Sequence, residues 1–296
     1  MFDYVVTSPV YNEIAHLPEL LEGLAKQTNP PLLWLVVDDG SEDGSREWLE
    51  AAALEHPWLL VRDAPEKAEE YLGAHIARIK RWGLVQVLEE AERRALAPTM
   101  VGVLDADVRL PPDHYERLAQ AFEADPALGV TSSLLLTNEG NTDVREPFQS
   151  RGLPRGPTQT FRLRCLEDIG GLPPYPGFDG AANVKAQQRG WKTEIPEGVF
   201  AMHSRPTATR FGEAPGFSRK GEYAWFLGVH PLLVAMRAAA YTQSAPHVAG
   251  LHFAKGWLSA AVRRQPRCPD PEIRRGYGWR RLIATATRRI KYKFDR

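Results

Sequence analysis

The chain has 296 residues, 43% of them hydrophobic and 25% charged, with no internal repeat and no low-complexity tract. This suits a folded globular protein with a sizeable core and excludes a repeat or low-complexity class. Its 37 basic and 37 acidic residues cancel, but 13 basic and 3 acidic residues fall from Lys255 to Arg296, leaving 24 basic and 34 acidic before them. An acidic body therefore precedes a basic tail.

The first 130 residues alternate strand and helix. Tyr4–Val10 is an apolar strand candidate, and Ile14, Leu17, Leu20, Leu21 and Leu24 follow helical spacing. Leu32–Val37 predicts a second buried strand, closed by Asp38-Asp39-Gly40-Ser41 and followed by a helix over about 43–54. Trp58–Arg62 predicts a third strand, and 69–95 a long charged helix. Met100–Leu104 is the fourth strand, followed by a helix over 112–124 with Pro112 and Asp113 in its first turn. Gly129–Thr137 reads as one fifth strand. This alternation implies a mainly parallel sheet covered on both faces.

Residues 138–160 are polar and read as a long irregular loop. A second block follows: the segment 161–165, a short helix, Gly170-Gly171, a Pro-rich turn, a helix over 179–189 and a strand near 193–195. Tyr223–Tyr241 is the most apolar stretch, but His230, Pro231 and Arg237 argue against a spanning helix. It reads as a buried helix kinked at Pro231, with an interfacial helix as the alternative. Cys165 and Cys268 make neither a metal spacing nor a disulfide framework. Met1-Phe2-Asp3-Tyr4 enters the first strand without a basic leader, so a cytoplasmic location is expected.

Acidic turns close three of these strands. Tyr11-Asn12-Glu13 follows the first, Asp38-Asp39 ends the second, and Asp105-Ala106-Asp107 ends the fourth. The carboxyl ends of parallel strands are where open α/β sheets bind ligands. Carboxylates at i and i+2 on an extended segment point to one side, and paired hard oxygens suit Mg²⁺ or Mn²⁺ shared with a diphosphate. Taken alone, Asp-x-Asp is more often a strand-end turn than a ligand site.

Ser8-Pro9-Val10-Tyr11-Asn12-Glu13, then Val36-Val37-Asp38-Asp39-Gly40-Ser41, then Val103-Leu104-Asp105-Ala106-Asp107 resemble the nucleotide-sugar-dependent family 2 glycosyltransferases. The resemblance covers roughly residues 4–205. It continues through Gly170-Gly171, Gly177-Phe178-Asp179-Gly180, and Arg189-Gly190-Trp191. It implies a GT-A fold, Rossmann-like, over 1–205: about 1–110 as the nucleotide-binding half and 111–205 as the acceptor half. A helical, basic extension over 206–296 follows.

The resemblance also implies roles. Asp107 would ligate Mn²⁺ or Mg²⁺, with Asp105 on ribose or a metal-bound water, and His203 would be a third ligand or a diphosphate contact. Pro9, Tyr11, Glu13, Asp38 and Asp39 would form the nucleoside pocket. Arg62, Asp63, Arg78, Lys80, Arg205 and Arg210 are candidates for nucleotide or phosphate contact, against a solvated surface role. Asp179 occupies the position of the base that deprotonates an acceptor hydroxyl in an inverting transfer, against a role as helix N-cap. The family usually has an acid where Phe178 stands, and Glu167 and Asp168 are the fallback bases.

The resemblance implies a nucleoside-diphosphate sugar as donor, UDP ahead of GDP, and a saccharide, lipid-linked or small-molecule acceptor. In the tail, Arg274-Arg275, Arg280-Arg281 and Arg288-Arg289 interleave with aromatic and aliphatic residues. That pattern suits packing on the acidic body or peripheral binding to an anionic membrane face, with nucleic acid the least supported polyanion. A sugar-phosphate nucleotidylyltransferase is an alternative enzyme, but the loop after the first strand lacks its Gly- and Arg-rich phosphate motif. A non-catalytic nucleotide-sugar-binding protein is the third reading, against which the intact Asp105, Asp107 and Asp179 argue.

Overall fold

The computed structural model describes residues 2–66, 74–139, 142–146, 149–204, 213–243 and 247–279. These fall into two compact units, Met1–Pro206 and Thr207–Arg296.

The first unit is built on β1 (Tyr4–Val10), β2 (Leu33–Asp38), β3 (Leu59–Asp63) and β4 (Met100–Val103), all mutually parallel. Alternation along these strands sends side chains to opposite faces. Tyr4, Val6, Trp34 and Val36 pack against α1 (Leu17–Ala25), α2 (Ser45–Glu55) and α4 (His114–Ala124). Val5, Leu33, Leu35, Val37, Val101 and Val103 pack against α3 (His75–Arg93), α5 (Leu163–Asp168) and α6 (Phe178–Gln188). Two apolar layers thus clamp the sheet, and its strand ends are left for polar residues.

A short β5 (Val108–Arg109) follows β4, and β6 (Leu128–Thr131), β9 (Thr160–Arg162) and β10 (Lys192–Thr193) extend the main sheet. Its order is β10-β6-β9-β4-β1-β2-β3, with β9 antiparallel to both neighbours. A second sheet, β5-β11-β7-β8, contains β7 (Leu134–Glu139), β8 (Thr142–Arg145) and β11 (Phe200–His203).

Two sequence expectations are corrected here. The expected strand 129–137 is two strands in different sheets. It breaks at Ser132-Ser133, where the Ser133 amide donates to Thr158 Oγ1 (3.0 Å) and Ser132 Oγ accepts from the Arg155 amide (3.1 Å). The supposed irregular loop 138–160 carries β8, antiparallel to β7, and a 3-10 turn at Gly156–Thr158.

In the second unit, α7 (Glu213–Phe226), α8 (Pro231–Thr242), α9 (Ala249–Val262) and α10 (Pro271–Tyr277) are described. The expected kinked helix over 223–241 is two helices. Gly228 adopts φ +77°, and His230 caps α8 by accepting from the Leu232 amide, with Pro231 at the first helical position. Among the described residues no helix is long and apolar enough to cross a membrane.

His114 is fully buried, with Nδ1 3.3 Å from Ser133 Oγ, and burial pushes its imidazole down to about 3. The unfolded chain takes up this proton below about pH 6.5 while the folded one does not, so folding weakens as pH falls from there toward 3. The cost is about 1.4 kcal/mol per pH unit, roughly 2–3 kcal/mol by pH 4.5. Urea unfolding between pH 7 and 4.5 should show this loss in the wild type, and His114→Met should lose correspondingly less.

Candidate active site

The ends of β1 and β2 are stitched together by loop hydrogen bonds. Asn12 sits at φ +56°, which Asn tolerates better than most residues. Its amide donates to Ser41 Oγ (3.0 Å), and its Oδ1 accepts from the Glu42 amide (2.8 Å). The Glu13 amide donates to Ser45 Oγ and the Ile14 amide to Asp43 Oδ2, each at 3.0 Å. Gly40 (φ +79°) and Gly44 (φ +88°) supply the left-handed turns that let this loop re-enter α2.

Asp38 is buried and closes its own turn, accepting from Ser41 Oγ at 2.5 Å. Asp39 instead faces α3, with both carboxylate oxygens 2.8 Å from His75 Nε2. Pro9 pairs with Val37 across β1 and β2, Glu13 is buried near His16, and Tyr11 is 40% exposed at the rim. Arg62, exposed on β3, has its guanidinium on the Val61 carbonyl, and Asp63, which ends the strand, pairs with Arg46.

Beyond β4, Asp105 and Asp107 each meet a cation from elsewhere in the chain. Lys80, buried on α3, places Nζ 2.5 Å from Asp105 Oδ1. Burying that ammonium without a partner would cost several kcal/mol, so the pair fixes both groups. His203, at the end of β11, places Nε2 3.4 Å from Asp107 Oδ1 and Nδ1 2.5 Å from Glu146 Oε1. Arg155 pairs with the other oxygen of Glu146 at 3.1 Å. Burial opposes charge on His203, but its hydrogen bonds and charge interactions with Asp107 and Glu146 win and push it up to about 9. The imidazolium therefore adds stability that is complete below about pH 6.5 and is lost as pH rises through about 9.

Asp179 adjoins this group through the 3-10 turn. Its Oδ2 accepts from the Gly156 amide (3.3 Å), and the next residue's carbonyl, Pro157 O, accepts from the Asp105 amide (2.9 Å). The ring of Phe178 lies under the Lys80 ammonium, 4.8 Å from it. The N-cap of α6 is Gly177, at φ +71°, so Asp179 is not the cap; it sits in the first helical turn with Oδ1 on the Gly180 amide.

The fallback bases lie elsewhere. Asp168 accepts from the Trp191 indole at 2.9 Å, and Glu167 lines an apolar groove of about 650 Å³ between α3 and α5. Arg205, Arg210 and the tail beyond Trp279 lie outside the described residues.

The family description "Glycosyl transferase family 2" matches residues 5–175. The chain belongs to that family. An undecaprenyl-phosphate mannosyltransferase of Micrococcus luteus is 34% identical to this chain over 122 residues, 41% of this chain and 45% of that protein. An undecaprenyl-phosphate 4-deoxy-4-formamido-L-arabinose transferase of Serratia proteamaculans is 36% identical over 121 residues, 40% of this chain and 33% of that protein. These matches span less than half of either relative.

Among solved structures, a Pyrobaculum calidifontis mannosyltransferase in complex with GDP-Man and Mn²⁺ superposes with a TM-score of 0.54 at 20% identity, covering 98% of this chain and 81% of that one. Staphylococcus aureus TarS 1-349 in complex with UDP-GlcNAc gives 0.55 at 16% identity, covering 93% and 78%. At such identities the likeness is one of fold, and the fold is GT-A.

Arg155, the partner of Glu146 in this family 2 site, was not singled out by the sequence, and neither were His75 and Glu146. Both act across long separations, 36 residues to Asp39 and 57 to His203. No local motif marks either, and Glu146 lay in the stretch read as irregular.

Proposed function

We propose that the protein is a metal-dependent, inverting glycosyltransferase that moves a sugar from a nucleoside-diphosphate sugar to an acceptor hydroxyl. One observation carries this reading: Asp39, Asp105 and Asp107 follow the carboxyl ends of parallel strands, and the 3-10 turn beside Asp105 also holds Asp179. In this reading Met1–Pro206 is the catalytic unit, with the nucleotide-binding half before about residue 110 and the acceptor half after it.

The residues fit a divalent cation. Asp107 Oδ1 and His203 Nε2, 3.4 Å apart, would hold the cation, His203 giving up its Nε2 proton to do so. Glu146 on Nδ1 is the carboxylate partner that metal-bound histidines use to hold their ring and tautomer. Among the described residues no three His, Cys, Asp or Glu side chains form a group able to hold a metal unaided. Mg²⁺ or Mn²⁺ would need only one or two carboxylates from the chain, with water and substrate phosphate supplying the remaining ligands. When bound, the cation neutralises charge that develops on the departing diphosphate.

The remaining roles belong to the chain. Asp39, steadied by His75, accepts hydrogen bonds from the nucleoside, and Pro9, Tyr11, Glu13 and Asp38 shape its pocket. Asp105 faces ribose or a metal-bound water, and Lys80 holds it while lending positive charge near the phosphates. Arg62 and Arg205 are assigned as phosphate contacts. Asp179 takes the acceptor's hydroxyl proton as that oxygen bonds to the anomeric carbon. The carbon–oxygen bond to the diphosphate breaks on the opposite face, and its electron pair leaves with the diphosphate.

The names of the curated relatives favour a lipid-linked acceptor over a free saccharide or another small molecule. A lipid-linked acceptor goes with peripheral attachment of the basic extension to the cytoplasmic face of a membrane. The test is release of nucleoside diphosphate from a panel of UDP- and GDP-sugars. One donor should be turned over with Mn²⁺, stop with EDTA, and resume when Mn²⁺ is restored; UDP is expected ahead of GDP. Turnover that persists in EDTA would remove the metal from this reading, and no turnover of any donor would remove the reading itself.

A further inference from the structure

The helix α9 carries its apolar residues on two faces. One face is inside: Gly250, Phe253, Gly256 and Ala260 are buried. A Cβ at Gly256 would lie 2.0 Å from the Ser218 carbonyl, and one at Gly250 would lie 2.1 Å from the Ala238 carbonyl. Backbone meets backbone at these points, so α9 cannot rotate to hide its other face. That face points out. Val248, Leu251, Leu258 and Val262 are 50%, 68%, 58% and 75% exposed, and Lys255 is exposed among them. Their spacing of three and four residues puts all five in one row, about 21 Å long at 1.5 Å per residue.

Charge identifies the partner. From Tyr223 to Pro269 the chain has no Asp or Glu, while Arg237, Lys255, Arg263, Arg264 and Arg267 are all cationic. Arg263 and Arg264 directly follow the last residue of the row and are exposed. An exposed apolar row with Lys255 within it and two exposed arginines after it is the pattern of a helix lying in a bilayer interface, with aliphatic side chains inserted and cations on anionic headgroups; the acid next to it is Glu222 on α7, beside the Gly221 contact with α9. A symmetric dimer through the same face would oppose Lys255 to its own copy with no acid in the surrounding sequence to answer it.

We propose that the outward face of α9, from Val248 to Val262, docks on an anionic lipid bilayer. This surface deepens the membrane reading, which rested on the tail, and is independent of the catalytic assignments. Flotation with vesicles of three parts phosphatidylcholine to one part phosphatidylglycerol tests it, using the full chain. Wild type should float with these vesicles, release in high salt, and ignore pure phosphatidylcholine. The double variant L251S/L258S, altered only at exposed positions, should lose roughly tenfold or more of its partitioning while keeping its Tm and its nucleoside-diphosphate release without vesicles. Partitioning of the double variant equal to wild type would overturn the inference and leave the tail as the attachment. Failure of wild type to float would overturn both. A concentration-dependent dimer in sedimentation that the double variant abolishes, without flotation, would assign the face to a second copy instead.

Discussion

Replacing Asp179 with Asn is expected to slow sugar transfer by roughly 10²- to 10⁴-fold, the range that a positioned general base contributes. Asn keeps one acceptor oxygen, enough for the Gly180 amide, so the first turn of α6 should survive, while the long 3.3 Å bond from the Gly156 amide is lost at small cost. The effect should therefore fall on kcat, with donor affinity and melting temperature near wild type. Steady-state kinetics at saturating donor, with a Tm for each variant, make the comparison. A kcat within about threefold of wild type would mean that the proton goes elsewhere. Asp179 would then be an anchor for the 3-10 turn alone.

Asp107→Ala is expected to act at an earlier step. It removes the carboxylate facing His203 and, in the proposed mechanism, the direct metal ligand. A metal contributes several kcal/mol to stabilising a departing anion, and each 1.4 kcal/mol is tenfold, so turnover should fall roughly a thousandfold or more. Mn²⁺ binding, followed by calorimetry in the presence of nucleoside diphosphate, should weaken in parallel. Asp105→Ala should differ in kind, because it strands the buried Lys80 ammonium and should also lower stability. If the two variants behave alike in Mn²⁺ affinity and in Tm, their separate assignments fail.

The elements that the sequence announced share a property: their signals are local. The apolar runs of β1 and β2 and the turn residues behind them need no partner to be recognised. Over 129–137 the strand-like pattern runs on through Ser132-Ser133, and only the hydrogen bonds that Ser133 donates to Thr158 and Ser132 accepts from Arg155 reveal the change of sheet. Pro231 was read as a kink because a proline alone permits one; Gly228 and the His230 cap turn it into a break. In the site, Asp39, Asp105, Asp107 and Asp179 stood out by position after strands or within a motif. Their partners His75, Lys80, Glu146 and Arg155 come from other parts of the chain. Of these only Lys80 was singled out, and then as a phosphate contact rather than as the cation on Asp105.

The central claim is that the strand ends form a site for a nucleoside-diphosphate sugar and a divalent cation. Thermal melting with UDP- and GDP-sugars, each with and without Mn²⁺, tests it most directly, because a ligand bound only by the folded state raises Tm. One donor should give a rise that needs Mn²⁺ and is lost in both Asp39→Ala and Asp107→Ala. An equal rise in the Asp107→Ala variant, or none with any donor in the wild type, would contradict it.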